Sequence, residues 1–390
     1  MKNCCEYIQN FKVSGILDQR TNSNAASNGH LDCLKYAHEN GCEWEIYTTL
    51  LAAKNGHLEC LKYAHENGCP WHEDTTSNVV TNGQLECLKY AHENGCPWHE
   101  DTTLYAAKEG HLDCLKYAHE NGCPWHKYTT LNASGKGQLE SLKYAHEHGC
   151  PWHTYSILYA AYDGHLDCLK YAHENGCPWH DDTTFYAAIT GQLESLKYAH
   201  ENGCTWNQQT TSTAAENGHL EFLKYAHENG CPWSIGTTSC AARNGQLECL
   251  KYARENGCPW HEYTTLKAAE YGHLDCLIYA HKNGCPWYKD TTFYAARNGH
   301  LDCLKYSHEN GSPFKEKLTL SHLDQHAPKI NLDHKWWREF LFDKDLSKYL
   351  KLQRIVEEKK EEIQRLKKES EILNKYIPKD VIKYVIYPYF

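Results

Sequence analysis

GHLDCLKYAHENGCPW, residues 110–125, recurs almost unaltered along most of this 390-residue chain. Its opening glycine stands at 29, 56, 83, 110, 137, 164, 191, 218, 245, 272 and 299, a step of 27 residues each time. Eleven copies at one period are the signature of a solenoid, in which each unit buries its apolar face on the next. Length alone would suggest two or three globular domains. The repeat removes that estimate, because a solenoid grows without one enlarging core.

One full unit, Thr102 to Trp125, shows the local logic. Thr102 and Thr103 are candidate N-caps, since a threonine hydroxyl can accept from the free amides of a first helical turn. Leu104, Ala106 and Ala107 follow on a short helix, whose alanines let a neighbour come close. Gly110 ends it by supplying a left-handed residue. A second helix is expected over His111–Asn121, with Leu112, Leu115 and Ala118 as its apolar stripe, widened by Cys114 and Tyr117. Asp113, Lys116 and Glu120 fall on the outer face. Gly122 closes this helix, and Pro124 forbids its continuation. The unit reads as helix, tight turn, helix, extended loop.

The 21 cysteines fall mostly in two repeating places, the second helix and the Cys-Pro-Trp step. Equivalent positions in stacked repeats lie about 10 Å apart, one helix diameter. A disulfide needs Cα atoms within about 7 Å. Free, mostly buried thiols in a reducing compartment are therefore expected. Net charge is −10, unevenly spread: from Lys315 onward 17 basic residues face 13 acidic ones. The acidic remainder repels phosphate backbones, which argues against nucleic acid as a partner. No run of about 18 apolar residues suggests a transmembrane helix. The opening MKNCCEYIQNFKVSG has no apolar core of the secretory kind, so a cytoplasmic location is expected.

TTLYAAKEGHLDCLKYAHENGCPW resembles the ankyrin repeat, whose pattern is TPLHxAAxxGHxxxVxxLLxxGAxV. The resemblance covers residues 21–314 as eleven in-phase copies. It implies an all-α, ankyrin-type helical-repeat solenoid that binds a protein ligand through loops and first helices. Two departures stand out. The ankyrin period is usually about 33, and the shortfall here lies in the first helix and the connecting loop, so the projecting β-hairpin finger is expected to shrink to a loop. Thr-Thr also replaces the usual Thr-Pro-Leu-His. Short Cys-Pro-Trp arrays of this kind are similar to those of giant DNA viruses, which implies a viral protein acting in host cytoplasm.

Outside the array, residues 1–20 are expected to form an N-terminal cap and 315–345 a C-terminal cap region. Residues 346–390 form a charged, coiled-coil-like helical segment with an apolar tail. This tail has three readings: a cap, a pairing helix, or a docking motif. The third rests on Ile377, Pro378, Val381, Ile382 and Val385, which are similar to the start of an F-box. That resemblance implies a substrate-recruiting subunit that docks a ubiquitin-ligase adaptor.

Two chemical readings were weighed. Cys96-Pro97-Trp98-His99 has C-x-x-H spacing, and His92 lies nearby. Yet a zinc site needs four ligands at one point, whereas a linear stack spreads equivalent ligands into columns, so no metal or other cofactor is expected. His92 and its counterparts sit near the end of the second helix, where an imidazole can meet the last carbonyls and the helix dipole. Catalysis needs one constellation, but every candidate nucleophile or base here comes in many near-identical copies, so no enzyme is expected.

Contact residues are sought where the copies differ. The loop after tryptophan offers Tyr47, Asp74, Asp101, Lys127, Tyr128, Tyr155, Asp182, Gln209, Tyr263 and Lys289; the first helix offers Arg243 and Arg297. Tyrosine and arginine are frequent interface anchors. Exposed positions also drift freely when nothing binds them.

Overall fold

The computed structural model describes residues 20–313, with residues 359–361 and 364–365. The described array is a helical-repeat solenoid: short helical hairpins follow one another at the 27-residue step, with no strand among the described residues. Chain contacts divide it into two compact units, Met1–Thr237 with Glu255–Cys258, and Thr238–Arg254 with Pro259–Phe390. The first holds the hairpins from Thr21–Ser27 and Leu31–Glu39 to Thr210–Asn217 and Leu220–Glu228. The second holds Thr264–Glu270 with Leu274–Lys282, and Thr291–Arg297 with Leu301–Glu309. The expected caps, and the tail motif from Ile377 to Val385, lie outside the described residues except for Arg20. Residues 359–361 and 364–365, within the expected charged helix, are helical and exposed.

Each hairpin is built as its residues dictate. Helix one, Thr102–Glu109, buries Ala106 and Ala107 completely, and helix two, Leu112–Glu120, does the same with Leu115 and Ala118. Gly110 ends helix one at φ 77°, and Gly122 follows helix two at φ 85°. The two glycines differ in surroundings. A Cβ on Gly110 would run into the Gln138 side chain of the next repeat, whereas one on Gly122 meets nothing within 4 Å. Gly122→Ala should therefore cost about 1–2 kcal/mol from backbone conformation alone, and Gly110→Ala more. Urea midpoints of the two variants check the order.

The threonine pair is not a cap. Thr102 is the first helical residue, and Asp101 before it makes no side-chain cap bond. Both threonines are fully buried. The Thr103 hydroxyl donates to the Pro124 carbonyl at 3.0 Å and accepts from the His126 backbone N–H at 3.0 Å, both in the following loop. The same clamp recurs as Thr130 to Pro151 and His153. These hydroxyls tie one hairpin to the next.

Helix two also starts one residue later and ends one earlier than His111–Asn121. Asp113 and Glu120 are exposed as expected, whereas Lys116 is half-buried, its Nζ 5.7 Å from the centre of the Tyr144 ring. The helix-two histidines hold a different post from the one expected. The last carbonyls are taken by asparagine: Asn94 Nδ2 donates to the Tyr90 carbonyl at 2.8 Å. His92 instead stacks on Trp98, ring centres 4.4 Å apart, and its Nδ1 lies 3.2 Å from the Tyr117 hydroxyl of the next repeat. Trp98 in turn donates Nε1–H to the Asn121 carbonyl at 3.1 Å. Trp71, Trp125, Trp152 and Trp179 link consecutive hairpins in the same way.

Of the cysteines in the described residues, all but Cys33 and Cys240 are buried, and none is in a disulfide. Burial pushes their thiols up, Cys96 to about 11 and Cys303 to about 12. A raised folded-state pKa contributes stability below the ordinary value of 9.0 that is lost as pH rises through about 11–12. Two results are expected. Ellman's reagent at neutral pH should leave the buried thiols unmodified until urea unfolds the chain, and the urea midpoint should fall on going above pH 9.0.

Candidate protein-interaction edge

Each loop after tryptophan is held from behind before its exposed residues appear. Tryptophan is anchored as described, and in the loops after Trp98, Trp125 and Trp152 the next backbone N–H is also bound by the preceding threonine, as in His99 N–H to Thr76 Oγ1 at 2.9 Å. The residue after tryptophan therefore projects from a fixed backbone. In five successive loops it is histidine: His72, His99, His126, His153 and His180.

These histidines organise the edge. Nδ1 of His72 accepts from the Asp74 backbone N–H at 3.1 Å, and Nδ1 of His99 accepts from that of Asp101 at 3.1 Å. An accepting Nδ1 places the ring proton on Nε2. That Nε2 reaches back one repeat: His99 Nε2 lies 3.3 Å from Asp74 Oδ1, and His126 Nε2 lies 3.5 Å from Asp101 Oδ1. Where tyrosine replaces aspartate, ring contacts continue the ladder. Tyr128 lies between His126 and His153, at 5.3 and 5.1 Å. Tyr155 lies between His153 and His180, at 5.5 and 4.9 Å. Asn207 then stands in for histidine, its Nδ2 donating to Asp182 Oδ1 at 2.8 Å and its Oδ1 accepting from the Gln209 N–H at 2.8 Å. At the other end, Tyr47 packs against His72 at 5.0 Å. Within the first unit the structure thus joins Tyr47, Asp74, Asp101, Tyr128, Tyr155, Asp182 and Gln209 in one continuous line.

Lys127 lies beside that line, its Nζ 4.8 Å from the centre of the Tyr128 ring. Desolvation, with Lys127 as a smaller cause, holds His153 below the usual histidine range. In the second unit Tyr263 meets Tyr288 at 4.7 Å and His261 at 5.3 Å. A hydrogen bond with Tyr288, then the Glu262 charge, raise its phenol above the ordinary value. Lys289 Nζ lies 6.0 Å from the centre of the Tyr288 ring. Arg243 and Arg297 belong elsewhere. Each is the last residue of a first helix, so about 10 Å of helix separates it from the loop. They lie over Tyr271 and Tyr294 instead.

No family model matches the chain, and no curated protein matches it. The edge must be read from its own residues. Its histidines carry no signal within a single repeat, where each is one exposed-loop residue among several. The available signal is a histidine in five successive loops with an aspartate or tyrosine two residues on, at the period of the stack. Among the described residues no group of three His, Cys, Asp or Glu side chains is placed to hold a metal ion. No described helix is long and apolar enough to cross a membrane.

The chemistry on offer is contact chemistry. Large apolar side chains left exposed are Ile46, Tyr47, Tyr128, Tyr155 and Ile235 in the loops of the first unit, with Tyr159 and Tyr271 on or beside first helices. Ile46 with Tyr47, and Tyr128 with Tyr155 of the adjacent loop, are the places where exposed apolar groups lie nearest one another along this edge.

Proposed function

We propose that this chain is a protein-interaction scaffold of ankyrin type, with no catalysis of its own, which binds a protein ligand along the loop edge. The observation that carries this reading is that five of the seven exposed large apolar side chains of the described residues, Ile46, Tyr47, Tyr128, Tyr155 and Ile235, fall on the loop edge of the first unit. Rigid hairpins behind the edge support it, because contacts held on a preorganised frame lose little entropy on binding. The short loops and the Cys-Pro-Trp step favour a viral ankyrin protein at work in host cytoplasm.

The competing proposal, a ubiquitin-ligase adaptor, depends on Ile377, Pro378, Val381, Ile382 and Val385. Purification of the tagged full chain beside a truncation at Phe314 separates the two. The scaffold reading expects the same proteins with both, whereas ligase subunits present with the full chain alone would favour the adaptor.

A further inference from the structure

The aspartates of the edge share one unusual arrangement. Oδ1 of Asp74 lies against His99 Nε2 of the next repeat, while Oδ2 lies 3.8 Å from His72 Nδ1. That Nδ1 is already an acceptor, so it gives Oδ2 no proton. Asp101 repeats the pattern, with Oδ1 facing His126 and Oδ2 facing the accepting Nδ1 of His99 at 4.0 Å. Asp182 does so again: Oδ1 is bonded to Asn207, and Oδ2 lies 3.8 Å from His180 Nδ1, which accepts from the Asp182 N–H. Asp74 and Asp182 keep 44% and 46% of their side-chain surface exposed. These three carboxylates, with Asp101 31% exposed, each have an oxygen beside an acceptor and can take a cationic donor.

The surrounding charge agrees. In the seven loops 45–47, 72–74, 99–101, 126–128, 153–155, 180–182 and 207–209, seven carboxylates stand against one lysine. Between the aspartates, Tyr128 and Tyr155 keep 37% and 44% of their surface exposed, and tyrosine rings attract guanidinium groups, with Lys127 already beside Tyr128. The spacing adds a further constraint. Two ring-to-ring steps of the ladder, such as 5.3 and 5.1 Å, carry it from one repeat to the next. A polyproline-type chain rises about 3.1 Å per residue with three residues per turn, so its every third side chain advances about 9 Å on one face.

We propose that the loop edge of the first unit binds an extended, arginine-bearing segment of a partner protein, with cationic side chains at every third residue meeting Asp74, Asp101, Tyr128, Tyr155 and Asp182 in turn. Guanidinium suits both surfaces, since it pairs with carboxylates and stacks on tyrosine. The proposal rests on the protein-binding reading and gives it a ligand chemistry.

The test uses the full chain and labelled peptides followed by fluorescence anisotropy. One peptide carries arginine at every third position among serine and proline; a second has the same composition with its arginines adjacent; a third has glutamate for arginine. The spaced peptide should bind about tenfold or more tighter than the clustered one, and the glutamate peptide not at all. Asp74→Asn, Asp101→Asn and Asp182→Asn together should weaken it by at least about tenfold, with a smaller salt dependence. Tyr128→Ala with Tyr155→Ala provides a second variant set that leaves the carboxylates in place, and should also weaken binding. Glu59→Gln with Glu86→Gln, on exposed helix-two positions, should change nothing. Absence of binding, equal binding of spaced and clustered peptides, or insensitivity to both loop variant sets would overturn the proposal. A cellular protein that crosslinks to the loops while the spaced peptide fails would leave the scaffold reading standing and reject only the basic ligand.

Discussion

Phe222→Ala is expected to cost about 3–5 kcal/mol, the largest single-site loss in the array, and to do so locally. Phe222 is 1% exposed and heads the fully buried side chains of the described residues in volume. It occupies the helix-two position where other copies place cysteine or serine, such as Cys114 and Ser141. Truncation therefore leaves a ring-sized void. In a stack each hairpin contacts only its neighbours, so the loss should not spread evenly. Hydrogen exchange should show protection falling in Leu193–Glu201 and Leu220–Glu228 while Leu31–Glu39 keeps its protection. An equal fall in all three helices would mean that the first unit unfolds as one block.

Thr103→Val should cost about 2–4 kcal/mol although valine has nearly the same shape. The hydroxyl serves two backbone groups of the next loop, the Pro124 carbonyl and the His126 N–H. Its removal leaves both without that partner, at about 1–2 kcal/mol for each part-buried group. A simple N-cap would be worth about 1 kcal/mol. Thr103→Ser, which keeps the oxygen, should recover most of the loss. Urea midpoints of the two variants decide: a loss in Thr103→Ser with none in Thr103→Val would show that the methyl packing matters and the clamp does not.

What could be read from the sequence was what repeats within one hairpin. Gly110 and Gly122 mark helix ends by a backbone need that only glycine meets cheaply, and Leu115 and Ala118 mark the buried stripe by their spacing. What could not be read was what joins one hairpin to the next. Thr103 looked like a cap because capping rules consider only the residues of the same helix, whereas its partners lie 21 and 23 residues away. His92 looked like a dipole partner for the same reason, although its hydroxyl neighbour Tyr117 lies 25 residues on. The loop edge shows both sides of this limit. Tyr128, Tyr155 and Asp182 stand out as variable, but the recurring histidines that connect them do not, since their role appears only when neighbouring loops are stacked. Arg243 and Arg297 shared the variability and not the location.

The most direct measurement of the central claim, that a protein ligand lies along the loop edge, is photocrosslinking in cells. A photoreactive phenylalanine analogue would replace Tyr128 or Tyr155 in the loops, and Asp113 or Glu140 on the exposed side of helix two. The loop positions should crosslink to the same protein, with no adduct from the helix-two positions. Adducts to that protein from Asp113 and Glu140 but none from Tyr128 or Tyr155 would place the ligand on the other face and contradict the account.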